Sequence, residues 1–100
     1  MKVVISEAAL DDLDNLHRYI SMKSYESRAD AYIGRIEAFC MSLDLFPERG
    51  SKRDDILLGL RVIGFEKSAS IAFVVMEDHV VIEGVFYGGR SVEKSLKFRK

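Results

Sequence analysis

Three runs of β-branched and aromatic residues dominate the second half of the chain, and turns of only three residues separate them. The runs cover residues 56–65, 69–76 and 80–87. Such residues favour extended backbone, and turns this short cannot make the crossover that parallel strands need. The pattern therefore predicts a three-stranded antiparallel meander, and the rest of the chain must cover its apolar side.

The first half of the chain has helical periodicity instead. A short strand is predicted over residues 2–6, with Ser6 placed to cap the helix that follows. Apolar residues then recur at helical spacing in two segments. The first ends near Ser24, and the second ends before the single proline, Pro47. Because the break between them is short, the two helices are predicted to form an antiparallel hairpin.

Two glycines at residues 88–89 end the last β-rich run, and residues 91–98 are predicted to form one or two helical turns. The predicted order is β-α-α-β-β-β-α. This is an α+β fold in which the helical hairpin packs on a mainly antiparallel four-stranded sheet. No linker or repeat interrupts the sequence, so residues 1–100 are predicted to form a single domain.

Composition and motifs exclude several classes of function. A formal net charge of −1 argues against a protein that coats nucleic acid by bulk charge. The only cysteine, Cys40, lies in a helical apolar stripe and is predicted to be a small core residue. His17 and His79 lack metal-ligand spacing, and no phosphate-binding glycine motif is present. We therefore predict no metal, no cofactor and no catalytic residue.

No apolar run reaches the about 20 residues that a membrane-spanning helix needs. The sequence therefore predicts no membrane association, and the near-absence of cysteine is consistent with a reduced, cytoplasmic location.

Positive charge is concentrated in the second half of the chain. Residues 1–50 carry 6 Lys/Arg against 9 Asp/Glu, whereas residues 51–100 carry 9 against 7, giving −3 and +2. Arg61 lies within a predicted strand, where a guanidinium must either meet a carboxylate or emerge at the face of the sheet. Arg90 follows the two glycines, where flexible backbone can aim a side chain.

The meander has more apolar surface than one helical hairpin can cover. In the middle strand, Phe73 shares one face with apolar neighbours, while the opposite face is also apolar. Two explanations remain open at this point. The C-terminal segment folds back over the second face through Val92, Leu96 and Phe98, or a partner polypeptide occupies that face.

Three motifs, in this order, carry a resemblance to a known family. They are FPERG at residues 46–50, LGLRV at 58–62 and VIEGVFYGGR at 81–90. With the element order, they make residues 2–97 resemble the RelE/ParE superfamily of bacterial type II toxins. The resemblance implies a toxin that a cognate antitoxin neutralises in a hetero-oligomer, without direct DNA binding by the toxin alone.

The superfamily contains two kinds of toxin. RelE-like members cut messenger RNA on the ribosome, and ParE-like members inhibit DNA gyrase by protein contact. RNA cleavage needs a proton-transfer group, which RelE-like nucleases supply with a late tyrosine or histidine. Residues 91–100 contain neither. The sequence therefore resembles the ParE-like branch more closely, with a ParD-like antitoxin as the implied partner and an endoribonuclease as the alternative.

The resemblance also implies two sets of contact residues. The candidates for contact with the target are the basic residues Arg61, Arg90, Lys94 and Lys97. The candidates for contact with the antitoxin are the apolar residues of the sheet and the C-terminal segment, Phe73, Val85, Tyr87, Val92, Leu96 and Phe98.

Overall fold

The computed structural model describes residues 2–97 and Arg99, and its elements follow the predicted order. The helices are α1 (Glu7–Lys23), α2 (Glu26–Met41) and α3 (Val92–Lys97), with a single 3-10 turn (Ser42–Asp44) after α2. The strands are β1 (Lys2–Ile5), β2 (Ser51–Lys52), β3 (Leu60–Phe65), β4 (Ala69–Val75) and β5 (His79–Tyr87).

The helical hairpin begins where the sequence predicts. The Ser6 hydroxyl accepts a hydrogen bond from the backbone N–H of Ala9 at 3.1 Å, which caps the first turn of α1. Only Ser24 and Tyr25 separate α1 from α2, so the helices run antiparallel. His17 of α1 and Asp30 of α2 lie 2.6 Å apart and connect the two helices on the outside of the hairpin.

The sheet has five strands rather than the predicted four, in the order β1-β5-β4-β3-β2. β1 runs parallel to β5, and the other neighbouring strands are antiparallel. The additional strand, β2, lies in a segment that reads as a polar loop, because two residues are too few to show a period. Gly50 makes the pairing possible. Its φ is +78°, and a Cβ there would lie 2.4 Å from the carbonyl oxygen of Val62.

A β-bulge in β5 changes which side chains of this strand lie on each face of the sheet, compared with regular alternation. Ala72 pairs with Gly84 and Phe73 pairs with Ile82, so Glu83 has no partner in β4. The extra residue reverses the alternation of side chains beyond it. Uninterrupted alternation predicts Val80 and Val85 on opposite faces of the sheet. In the structure they share the face that the helices cover.

The two faces of the sheet are covered by different parts of the chain. The hairpin packs on one face and forms the main core with Phe73, Ile71 and Val85. On the other face, the buried residues Leu60, Ala72 and Phe86 form a smaller cluster, and half-buried Val92 and Leu96 of α3 pack against it. The C-terminal segment therefore folds back over part of the second face through Val92 and Leu96, as in the first of the two explanations given above. Phe98 lies outside the described residues.

Cys40 is a core residue, as predicted, and it gives a direct test of native packing. It is fully buried, and burial raises the pKa of its thiol to about 11. At pH 8 only about one thiol in a thousand is then ionised. We expect a thiol reagent such as DTNB to react with Cys40 at least about a hundredfold more slowly in the folded chain than in urea-unfolded chain. Equal rates would contradict the packing of α2 on the sheet.

None of the helices in residues 2–97 is long and apolar enough to cross a membrane. Within the same part of the chain, no three His, Cys, Asp or Glu side chains come close enough together to hold a metal ion.

Candidate functional site

Arg61 lies near the edge of the helix-covered face of the sheet. Its neighbours across the sheet are Lys52 in β2 and Phe73 in β4, and side chains opposite one another share a face. Arg61 is half-buried, and it forms no ion pair with any carboxylate in the described part of the chain. With Lys52 and Glu48 it lines a surface cavity of about 310 Å³. Of the two predicted placements, emergence at the face of the sheet is the one observed.

A mainly apolar cavity of about 610 Å³ lies beside the cavity that Arg61 lines. It is lined by the loop after the 3-10 turn, including Leu45, Phe46 and Pro47, and by Val75 at the end of β4. Pro47 cannot continue the preceding helix, so the chain turns away and leaves Leu45 71% exposed and Phe46 67% exposed. Glu48 and Val75 line both cavities, so the two form one surface feature, which we call the 45–61 groove.

Arg90 lies at the opposite end of the sheet. Arg61 is level with Phe73 and Ile82, and Tyr87 is five residues further along β5, or about 16 Å at the usual rise per residue. Arg90 follows the turn at Gly88 and Gly89, which have φ of +68° and +79°. The structure therefore does not bring Arg61 and Arg90 into one site.

The surroundings of Arg90 are aromatic and polar. The exposed Arg90 lines a cavity of about 310 Å³ together with Asn15, Tyr19 and Tyr87. The half-buried Tyr87 ring lies between Tyr19 and Tyr32, with centroid separations of 6.0 and 5.8 Å. Burial raises the pKa of Tyr32, and its hydroxyl lies 2.6 Å from the Ser68 hydroxyl. This end of the sheet therefore presents aromatic side chains beside the exposed guanidinium of Arg90.

Lys94 and Lys97 are exposed on α3, while Val92 and Leu96 pack against the sheet. Neither lysine forms an ion pair with another described residue. The helix thus has an apolar inner side and a basic outer side, which suits contact with an acidic surface.

Two of the predicted antitoxin contacts lie in the core instead. Phe73 is 0% exposed and Val85 is 3% exposed, because both point toward the helical hairpin. An apolar residue in a strand has the same sequence pattern whether a helix of the same chain or a partner protein covers it, so the sequence alone does not distinguish the two cases. Phe73 and Val85 therefore do not contribute to the surface of the free chain. Tyr87, Val92 and Leu96 remain half-exposed.

The residues that anchor the C-terminal segment were missed from the sequence. Asp12 is buried, and its carboxylate accepts the N–H of Val85 at 2.9 Å and a guanidinium N–H of Arg99 at 2.5 Å. Arg99 also donates to the carbonyl of Glu83 at 2.8 Å and lies over the Phe86 ring, 4.9 Å from its centroid. We call this arrangement the Asp12–Arg99 anchor.

Local geometry explains why this anchor forms. β1 ends opposite Ile82, and among the described residues no strand pairs with the outer edge of β5 beyond that point. Asp12 accepts the N–H of Val85 there. Gly84 leaves room for the guanidinium, since a Cβ would lie 2.7 Å from its Nη1 atom. The sequence does contain an indication that Asp12 is buried. Asp12 lies three residues after Ala9 and four before Leu16, so its carboxylate is on the same side of α1 as these two core residues.

The two histidines lie away from the candidate cations Arg61 and Arg90. His17 pairs with Asp30 on the hairpin, and His79 lies 2.6 Å from Asp78 in the turn before β5. Neither histidine lines a cavity with Arg61 or Arg90. Arg61 and Arg90 each lie beside apolar or aromatic side chains at the surface, an arrangement suited to protein contact.

Comparison with known proteins agrees with this fold. A solved structure described as the chromosomal ParDE TA system from P. aeruginosa has a similar fold, with a TM-score of 0.76 at 19% identity. The match covers 87% of this chain and 95% of that chain. No curated protein is similar enough in sequence to be counted as a relative.

A family model described as "ParE toxin of type II toxin-antitoxin system, parDE" matches residues 3–91. The match spans most of the chain and defines its class, the toxins of type II toxin–antitoxin systems. The chain belongs to the ParE toxin family.

Proposed function

We propose that this chain inhibits DNA gyrase by protein contact, and that a ParD-like antitoxin neutralises it by binding it in a hetero-oligomer. The family match over residues 3–91 carries the proposal. The predicted contact cations support it: Arg61, Arg90, Lys94 and Lys97 are exposed or half-exposed and make no ion pairs within the described chain. Free guanidinium and ammonium groups of this kind steer and hold an acidic protein surface.

The antitoxin would contact the half-exposed apolar residues of the C-terminal end. Val92 and Leu96 lie over the second face of the sheet, and Tyr87 lies in the aromatic group beside Arg90. These side chains already have partial cover within the chain. A partner segment would therefore add to existing packing and would not need to fill an empty face.

The gyrase proposal is tested with purified chain in a DNA supercoiling assay. We expect the wild-type chain to inhibit supercoiling and to arrest growth when expressed alone. Arg90→Glu should raise the concentration needed for half-inhibition by about tenfold or more, because charge reversal at a contact costs at least about 1.4 kcal/mol. Lys2→Glu is the matched control, since Lys2 is exposed in β1 opposite His79 at the start of β5, and Arg90 follows the other end of that strand.

Transcript analysis during expression separates the two candidate mechanisms. Unchanged supercoiling together with codon-positioned cleavage of messenger RNA would contradict gyrase inhibition and support the endoribonuclease. If supercoiling and transcripts both remain intact while growth stops, neither target is correct.

A further inference from the structure

The 45–61 groove is a surface that the proposed contacts leave largely unused. Its apolar end is formed by Leu45, Phe46, Pro47 and Val75. Its polar end, which includes Lys52 and Arg61, continues directly from it, because Glu48 and Val75 line both parts. Two large apolar side chains that are more than two-thirds exposed, side by side, are unusual on a small domain and are typical of an interaction surface.

Positive charge borders this apolar surface. The cations are Arg49, whose guanidinium lies 5.1 Å from the Phe39 ring centroid, and Lys52 and Arg61 at the polar end. None of the three forms an ion pair with another described residue. Glu48 and Asp54 also line the groove, but an Asp54 oxygen is already engaged, since it accepts the N–H of Gly59 at 2.8 Å. Three cations against two carboxylates leave the groove positive, on a chain whose net charge is negative.

We propose that the 45–61 groove binds a segment of the antitoxin in which a large apolar side chain is followed closely by acidic residues. The apolar side chain would cover Leu45 and Phe46, and the carboxylates would pair with Lys52 and Arg61. This inference rests on the proposed function, because it assigns a second surface to the same partner. It also implies that the antitoxin covers Arg61, which is a predicted contact with the target.

Charge complementarity selects this occupant over a second copy of the chain. Outside residues 45–61, where Leu58 is 85% exposed, the most exposed apolar residues are Met22 and Tyr25 at the tip of the hairpin, and Lys23 lies between them with Arg28 nearby. That tip carries two cations against the single carboxylate of Glu26, so it would meet the positive groove with a charge of the same sign. An acidic partner segment removes this repulsion and pairs the cations of the groove.

The experiment is a cysteine footprint on the complex of this chain with the ParD-like antitoxin of the proposed function. The native Cys40 is buried, and its thiol is largely protonated at neutral pH, so an introduced surface cysteine is labelled selectively. Leu45→Cys and Glu48→Cys place the thiol in the groove. Met22→Cys is the matched control, because Met22 is 80% exposed at the other end of the hairpin, about 24 Å away along α2.

We expect complex formation to slow iodoacetamide labelling at Leu45→Cys and Glu48→Cys by about tenfold or more, and at Met22→Cys by less than twofold. We further expect Arg61→Glu to weaken the complex by about thirtyfold or more. Far-UV circular dichroism and the urea midpoint of each variant establish that it is folded.

Three results would overturn the inference. A complex that forms with equal labelling in the groove and at Met22→Cys excludes this surface while leaving the proposed function intact. Protection of the groove in the chain alone, increasing with its concentration, identifies a second copy as the occupant. Absence of any complex with wild-type chain removes the proposed antitoxin partner and this inference together.

Discussion

Replacing Arg99 by methionine should lower the free energy of unfolding by about 3 kcal/mol, because it leaves the buried carboxylate of Asp12 without its cation. Methionine keeps apolar cover over the Phe86 ring, so the loss measures mainly the charge and its hydrogen bonds. Urea unfolding followed by circular dichroism gives the value. A stability of 5–15 kcal/mol is typical of small domains, so such a loss is a large fraction of the total.

A double-mutant cycle shows whether the effect belongs to the Asp12–Arg99 anchor. Asp12→Asn removes the charge but keeps an oxygen that can accept the N–H of Val85. In the Asp12→Asn background, Arg99→Met should therefore cost less than in wild type, with a coupling energy of about 1 kcal/mol or more. Arg18→Met on the exposed side of α1 is the control and should change stability by no more than about 0.5 kcal/mol. Equal effects of Arg99→Met and Arg18→Met would mean that Arg99 does not anchor the segment.

Replacing Phe73 by alanine should lower the free energy of unfolding by about 3–5 kcal/mol. Phe73 is fully buried between the sheet and the helical hairpin, so its removal costs both transfer energy and a cavity. Urea unfolding measures this effect, together with a reduced midpoint at an unchanged slope.

The matched control is Phe46→Ala, which removes the same side chain from the surface. Phe46 is 67% exposed, so the expected change in stability is within about 0.5 kcal/mol. The two variants also separate core from interface. We expect Phe46→Ala to weaken binding of the antitoxin without loss of stability, whereas Phe73→Ala should act through the fold. A Phe73→Ala variant as stable as wild type would contradict its place in the core.

Several features of the fold could be predicted because they depend on short stretches of sequence. The cap at Ser6, the break at residues 24–25 and the end of the second helix before Pro47 each follow from the backbone preferences of a few residues. The meander follows from β-branched residues and short turns. The position of Cys40 in the core follows from helical spacing.

Other features depend on contacts between distant residues and had no local signal. β2 is two residues long, and it pairs because Gly50 allows close approach to Val62. The bulge at Glu83 arises from the pairing of β4 with β5, and it changes the face of every later residue in that strand. The bulge is the reason that Val85 faces the helical hairpin and is buried in the core.

The order of residue types along the chain was enough to determine the element order, the layered α+β class and the family resemblance, because hydrophobic period, capping and turn chemistry act over a few neighbouring residues. Only the tertiary structure decided which apolar residues are core and which are surface. It also decided that Arg61 and Arg90 lie apart, and that a buried aspartate in the first helix meets an arginine 87 positions later. The burial of a side chain, the pairing of two charges and the distance between two residues all depend on how the helices and strands pack, and residues far apart in sequence set that packing together.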